Sequence, residues 1–195
     1  MTVTADDLDL AINAVESTLK PAVGQDWLTA SGTGEWTARA TAEHIGDCLI
    51  SYAGQLIAAP QDRYARFMAV ADANASAPEL LEFLVLSGRL LASVVRTCSP
   101  TTRAYHPTGR SDPEGFAAMG CVEMLVHGHD LALGLGLRLT PPSQMCHNVI
   151  ARLFPHTAAT LTDIDPWTAL LWSTNRVQLP GQPEQNDWRW HGNPL

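Results

Sequence analysis

The chain has 195 residues, enough for one domain with a buried core or for one domain with a small appendage. Hydrophobic residues make up 46% and charged residues 16%, the balance of an ordinary globular protein rather than a disordered one. The formal net charge of −8, with Lys20 the only lysine, argues against a nucleic-acid partner and against an anionic membrane surface.

Met1 to Asp9 shows no basic start leading into an apolar run, so no signal peptide is expected. No apolar stretch reaches the ~18–20 residues that a membrane span needs. Cys48, Cys98, Cys121 and Cys146 form no C-x-x-C pair and are expected to be free thiols in a reducing cytoplasm.

Leu8, Ile12, Val15 and Leu19 recur at helical spacing and predict a first helix from Asp6 to Leu19, ended by Pro21 and Gly24. A loop with Gly32 and Gly34 follows. Thr37 is a capping residue for a second helix that runs to about Ala58, before Pro60. Pro78 suits the first turn of a third helix, with a stripe of Leu80, Leu84, Ser87, Leu91 and Val94, stopped by Ser99 and Pro100. Asp112-Pro113-Glu114 is a strong helix start, and the fourth helix is expected to reach about Leu135, beside Gly134 and Gly136.

Four helices of this length with long connections predict an all-α four-helix bundle over residues 1–140. Residues 141–195 are expected to add short helices that pack on it, one from Pro141-Pro142 to about Phe154 and one from Asp165-Pro166 to about Asn175. Val177-Gln178-Leu179 and Trp188-Arg189-Trp190 then suggest a small hairpin or an extended tail. An exposed tail rich in tryptophan could pair two subunits into a homodimer.

The chemistry concentrates on the fourth helix. Glu123 and His127 are four residues apart and therefore share one helix face, where a carboxylate and an imidazole can chelate one metal ion. Met124, Leu125, Val126 and Leu131 leave little polar surface around them, which points the pair inward. A third ligand must come from another helix, and His44, two turns into the second helix, is the best candidate. Two histidines and a glutamate suit catalytic zinc with a position left open, and also nickel, iron or manganese. Asp130, seven residues from Glu123, falls on nearly the same face and could orient a ligand imidazole. Any ligand that closed the site would have to be Asp130, Cys48 or His129.

Three stretches carry a resemblance to a known family. They are Gly34-Glu-Trp-Thr-Ala-Arg-Ala-Thr-Ala-Glu-His44, then Glu123-Met-Leu-Val-His-Gly-His-Asp-Leu-Ala132, and Asp165-Pro-Trp-Thr-Ala-Leu-Leu-Trp172 together with Trp188-Arg-Trp-His-Gly192. The sequence resembles the mycothiol-dependent maleylpyruvate isomerases, within the DinB-like metal-binding four-helix bundles. The second stretch is the most specific. The resemblance implies that His44, Glu123 and His127 form a metal triad, usually zinc. It also implies a low-molecular-weight thiol, mycothiol, as cofactor in isomerisation or as transferred nucleophile on a small electrophilic substrate. The isomerases have a larger C-terminal domain than residues 141–195 can make, so maleylpyruvate itself is a poor expectation. His129 stands where the family often has tryptophan.

The residues leave three classes of function open. One is a metal-dependent thiol transferase or isomerase. The second is a hydrolase, lyase or cyclase that activates water on the metal. The third is a bundle that binds a metal or a small ligand without turnover.

Overall fold

The computed structural model describes residues 2–195, and among them the chain is all-helical with no strand. Helix α1 spans Ala5–Leu19 and opens on a reciprocal cap: Thr4 accepts from the Asp7 backbone N–H, while the Asp7 carboxylate accepts from the Thr4 N–H. A single tight turn, Lys20–Ala22, follows at Pro21. Helix α2 spans Ala38–Ala58, with Thr37 accepting from the Ala40 N–H. Helix α3, Ala77–Thr97, starts on a Ser76–Glu79 capping box.

Helix α4 covers residues 113–134 and is interrupted. Its first part, Pro113–Val122, is capped by Asp112, whose carboxylate accepts from the Gly115 N–H. Glu123–His127 then forms one wide π-helical turn, and Gly128–Gly134 resumes as an α-helix. Three short helices follow: α5 at Ser143–Leu153, α6 at Pro155–Thr160 and α7 at Pro166–Ser173.

Helices α1 to α4 form the expected four-helix bundle, with α2 against α3 and α1 against both α3 and α4. Leu8, Ile12, Leu49, Leu84, Leu91, Phe116 and Met124 are wholly buried at its centre. The predicted caps at Thr37, Asp112-Pro113 and Asp165-Pro166 all start helices. Helix α6 was not expected: Pro155 supplies a first-turn proline, but six residues carry too little periodicity to be read.

The tail beyond α7 forms no hairpin. It runs through turns and extended stretches, because Pro180 and Pro183 withhold the N–H groups that a ladder would use. Instead it packs onto the helices. The buried Arg152 of α5 bonds the Asp112 carboxylate and the His191 carbonyl, and the His191 N–H donates to the Leu153 carbonyl. Among the described residues no helix is long and apolar enough to cross a membrane.

Candidate metal centre

Helix α4 lies deep in the bundle, and every residue from Phe116 to Val126 is buried, Glu123 among them. A carboxylate there needs partners. Tyr52, buried on α2, donates its hydroxyl to Glu123 Oε1 at 2.8 Å. The other oxygen, Oε2, faces two imidazoles: His127 Nε2 at 3.3 Å and His44 Nε2 at 3.6 Å. The two rings stand edge to face with centroids 4.9 Å apart. The wide turn of α4 coincides with Glu123–His127, and such turns recur at functional sites because they re-aim side chains.

The charge pattern follows from this geometry. Burial works against the Glu123 charge, but hydrogen bonds from His127 and His44 outweigh it and hold the carboxyl well below its usual range. Burial would likewise depress His127, yet the carboxylates of Asp130 and Glu123 push it up to about 9. The metal-free site therefore holds an imidazolium against a carboxylate at neutral pH.

His127 is held from behind. Thr33, on the loop before α2, donates its hydroxyl to Asp130 Oδ2 at 2.7 Å and lies 2.7 Å from His127 Nδ1. With its hydrogen spent on Asp130, Thr33 can only accept from His127, so Nδ1 carries a proton and Nε2 is the atom presented to Glu123. Asp130 Oδ2 is itself 3.4 Å from Nδ1, and Arg176, beyond α7, donates to it at 3.0 Å. These bonds keep the Asp130 carboxyl well below its usual range despite burial. The loop comes this close because Gly134 has no side chain: a Cβ there would lie 1.8 Å from the Ser31 carbonyl oxygen.

A tetrahedral ion with bonds of about 2.0–2.1 Å to nitrogen and oxygen holds its donors about 3.3 Å apart. The two nitrogen–oxygen separations at Glu123 Oε2 are close to that value, and imidazole and carboxylate donors suit several divalent ions. The spacing of His44 and His127 about Glu123 Oε2 is compatible with one divalent ion, while the donors found within 4.8 Å of one another are those of His44, Cys48 and Glu123. The side chain of His44 is about one-third exposed (33%), and a cavity of about 270 Å³ opens beside it, walled by Trp36, Met68 and Val70 with Glu43 and Asp47 at its edge. A larger cavity of about 330 Å³ lies under the tail between Phe154 and Trp190, but none of the three residues lines it.

The chain matches the family model described as the mycothiol maleylpyruvate isomerase N-terminal domain over residues 8–132. It belongs to that family. The match runs from α1 into the last part of α4, and so covers His44, Glu123, His127 and Asp130 while leaving out Arg176. No curated protein matches the chain, and no solved structure does.

Several neighbours of the site lay beyond sequence reading. Thr33 and Arg176 reach the cluster across 46 to 97 residues of chain with no local motif to mark them, and Tyr52, on the His44 face of α2, reads from spacing as core edge rather than as a partner of Glu123. His106, which had no evident partner, is buried against Tyr52, Tyr64 and Trp190. His129 turns away and sets its ring edge against Trp167. Arg89 pairs with Asp9 on the outside of the bundle. Cys48, one turn after His44, brings its sulfur to 3.6 Å from His44 Nε2.

Proposed function

We propose that this protein is a metal-dependent enzyme that uses a low-molecular-weight thiol of the mycothiol kind, as cofactor or as nucleophile, on a small electrophilic substrate. The reaction would be an S-transfer or an isomerisation carried out in the cytoplasm. His44, Glu123 and His127 would hold one divalent ion, most simply zinc. The observation that carries this reading is the convergence of two imidazole nitrogens on one oxygen of a buried carboxylate, in a family named for a thiol-dependent isomerase.

When bound, the ion would lower the pKa of a thiol at the site and hold it as the nucleophilic thiolate. The chain's own residues prepare the place. Tyr52 fixes Glu123 by its second oxygen. Asp130, acting with Thr33, fixes the proton of His127 on Nδ1 and keeps Nε2 for the ion, as a carboxylate behind a ligand histidine commonly does. Trp36 lies edge-on to His44 at 5.0 Å and, with Met68 and Val70, gives the adjoining cavity an apolar wall that limits water. Glu43 and Asp47 line that cavity and no lysine or arginine does, which favours a neutral electrophile over a dianion.

The test is elemental analysis of protein purified without added metal, wild type beside His127→Ala, followed by a thiol-loss assay with mycothiol and a small enone or haloalkane. About one ion per chain, lost in the variant, with turnover that needs both ion and thiol, is the expected result. No metal in either protein and none taken up on addition would overturn the proposal. Metal without thiol dependence would move the reading to hydrolysis or to simple binding.

A further inference from the structure

The cluster around Glu123 contains one more donor than the triad. His44, Cys48 and Glu123 each offer an atom within 4.8 Å of the others. Cys48 Sγ lies 3.6 Å from His44 Nε2 and 3.9 Å from its Nδ1. A tetrahedral ion with a sulfur bond of about 2.3 Å and a nitrogen bond of about 2.0–2.1 Å sets those donors about 3.5–3.6 Å apart. The distance to Nε2 has that value, but Sγ is also 3.9 Å from Nδ1, so it stands beside the ring, and shared ligation would turn the imidazole toward it.

The helices repeat the same device. Cys48 follows His44 by four residues on α2, as His127 follows Glu123 by four on α4. Two chelating pairs thus face each other across the bundle. The other candidates for a fourth donor are engaged elsewhere: the Asp130 oxygens are bonded by Thr33 and Arg176, and His129 packs against Trp167. Cys48 is half-buried, packs against the core, and turns its sulfur toward the His44 ring.

We propose that Cys48 is a fourth metal ligand, which closes the resting site with the chain's own thiolate until an incoming low-molecular-weight thiol replaces it. This deepens the function proposed above and rests on the same three-residue site. The exchange is sulfur for sulfur. The incoming thiol gives up its S–H proton and takes the ligand position, while Cys48 leaves that position and accepts the proton, so charge and proton count are unchanged. Such a site would admit thiols more readily than water, because water would have to displace a thiolate.

Cobalt(II) reports sulfur ligation directly through a thiolate charge-transfer band in the near ultraviolet, independent of turnover. The metal-free protein, kept reduced with a phosphine, is loaded with one equivalent of cobalt(II), in wild type, Cys48→Ser and Cys48→Ala. Wild type is expected to show the band with no thiol added, and to keep it nearly unchanged when N-acetylcysteine is supplied. Both variants are expected to bind cobalt, to lack the band, and to acquire it only on adding N-acetylcysteine. The proposal is overturned if wild type lacks the band until thiol is added, or if the band survives both substitutions. Cobalt bound by the three remaining ligands, in either case, leaves the function proposed above standing. Failure of wild type to bind cobalt at all overturns both.

Discussion

Replacing Tyr52 with phenylalanine removes one oxygen from a residue that is 4% exposed, and with it the 2.8 Å bond to Glu123 Oε1. The ring keeps its contacts with Phe116 and His106, so packing changes little. What is lost is a hydrogen bond to a buried carboxylate, worth about 1.5–3 kcal/mol. For a chain of this size each kcal/mol lowers the melting temperature by roughly 2–4 °C. Urea unfolding of the metal-free protein in chelator should therefore show Tyr52→Phe less stable by about 1.5–3 kcal/mol. The loss should largely vanish in a Glu123→Gln background, since the charge that needs the hydroxyl is gone, and the cycle of four proteins isolates that coupling. In the metal-bound protein the same change should weaken affinity by about 10–100-fold, measured by chelator competition. A loss below about 0.5 kcal/mol, or equal losses with and without the Glu123 charge, would show that Tyr52 merely fills space and that the carboxylate is stabilised by other means.

Other consequences follow from the groups behind the ligands. Arg176→Ala leaves Asp130 with one donor fewer and should weaken metal binding several-fold and lower stability by about 1–2 kcal/mol, with Arg176→Lys intermediate in both; an unchanged metal affinity would detach the tail from the site. Burial holds His106 at about 4, below the ordinary 6.5, so the unfolded chain takes up this proton first. Its contribution is complete above about pH 6.5 and is lost as the pH falls toward 4, by about 3 kcal/mol at the acid end. Urea midpoints at pH 7.5 and 4.5 should thus fall more steeply for wild type than for His106→Gln, and parallel curves would refute the assignment. Gly134→Ala forces the Ser31 carbonyl away and with it the loop that carries Thr33; a melting temperature lowered by several degrees is expected, and an unchanged one would mean that the loop yields freely.

The helices were legible because their signals are local. Thr37, Asp112-Pro113 and Asp165-Pro166 act within one turn, and the stripes of α1 and α3 show which side is buried. The Glu123–His127 pair was legible for the same reason, since four residues on a helix are one neighbourhood. The wide turn that contains the pair was not, because no residue preference marks where a helix inserts an extra residue in a turn. Thr33 and Arg176 could not be read at all, and Tyr52, placed on the face of His44 by its spacing, read as core edge rather than as a partner of Glu123: each role exists only after the bundle has brought distant segments together. The tail left a hairpin and an extended course both open, and its prolines, which withhold N–H groups from a ladder, leave it extended with turns.

The division of labour between the bundle and the rest of the chain matters for the chemistry. The family match ends at residue 132, yet the carboxylate behind His127 is paired with Arg176, and the far side of His106 is packed by Trp190. Asp130 accepts from Thr33 and Arg176 together, so it is a carboxylate shared between the loop before α2 and the segment after α7. With Arg176 in place, Asp130 stays ionised and accepts the Thr33 hydrogen, which in turn commits the proton of His127 to Nδ1. Without that cation Asp130 would keep the hydrogen bonds of His127 and Thr33 and lose one of the groups that hold it ionised despite burial. A residue outside the family match therefore helps to hold the carboxylate that stands behind His127.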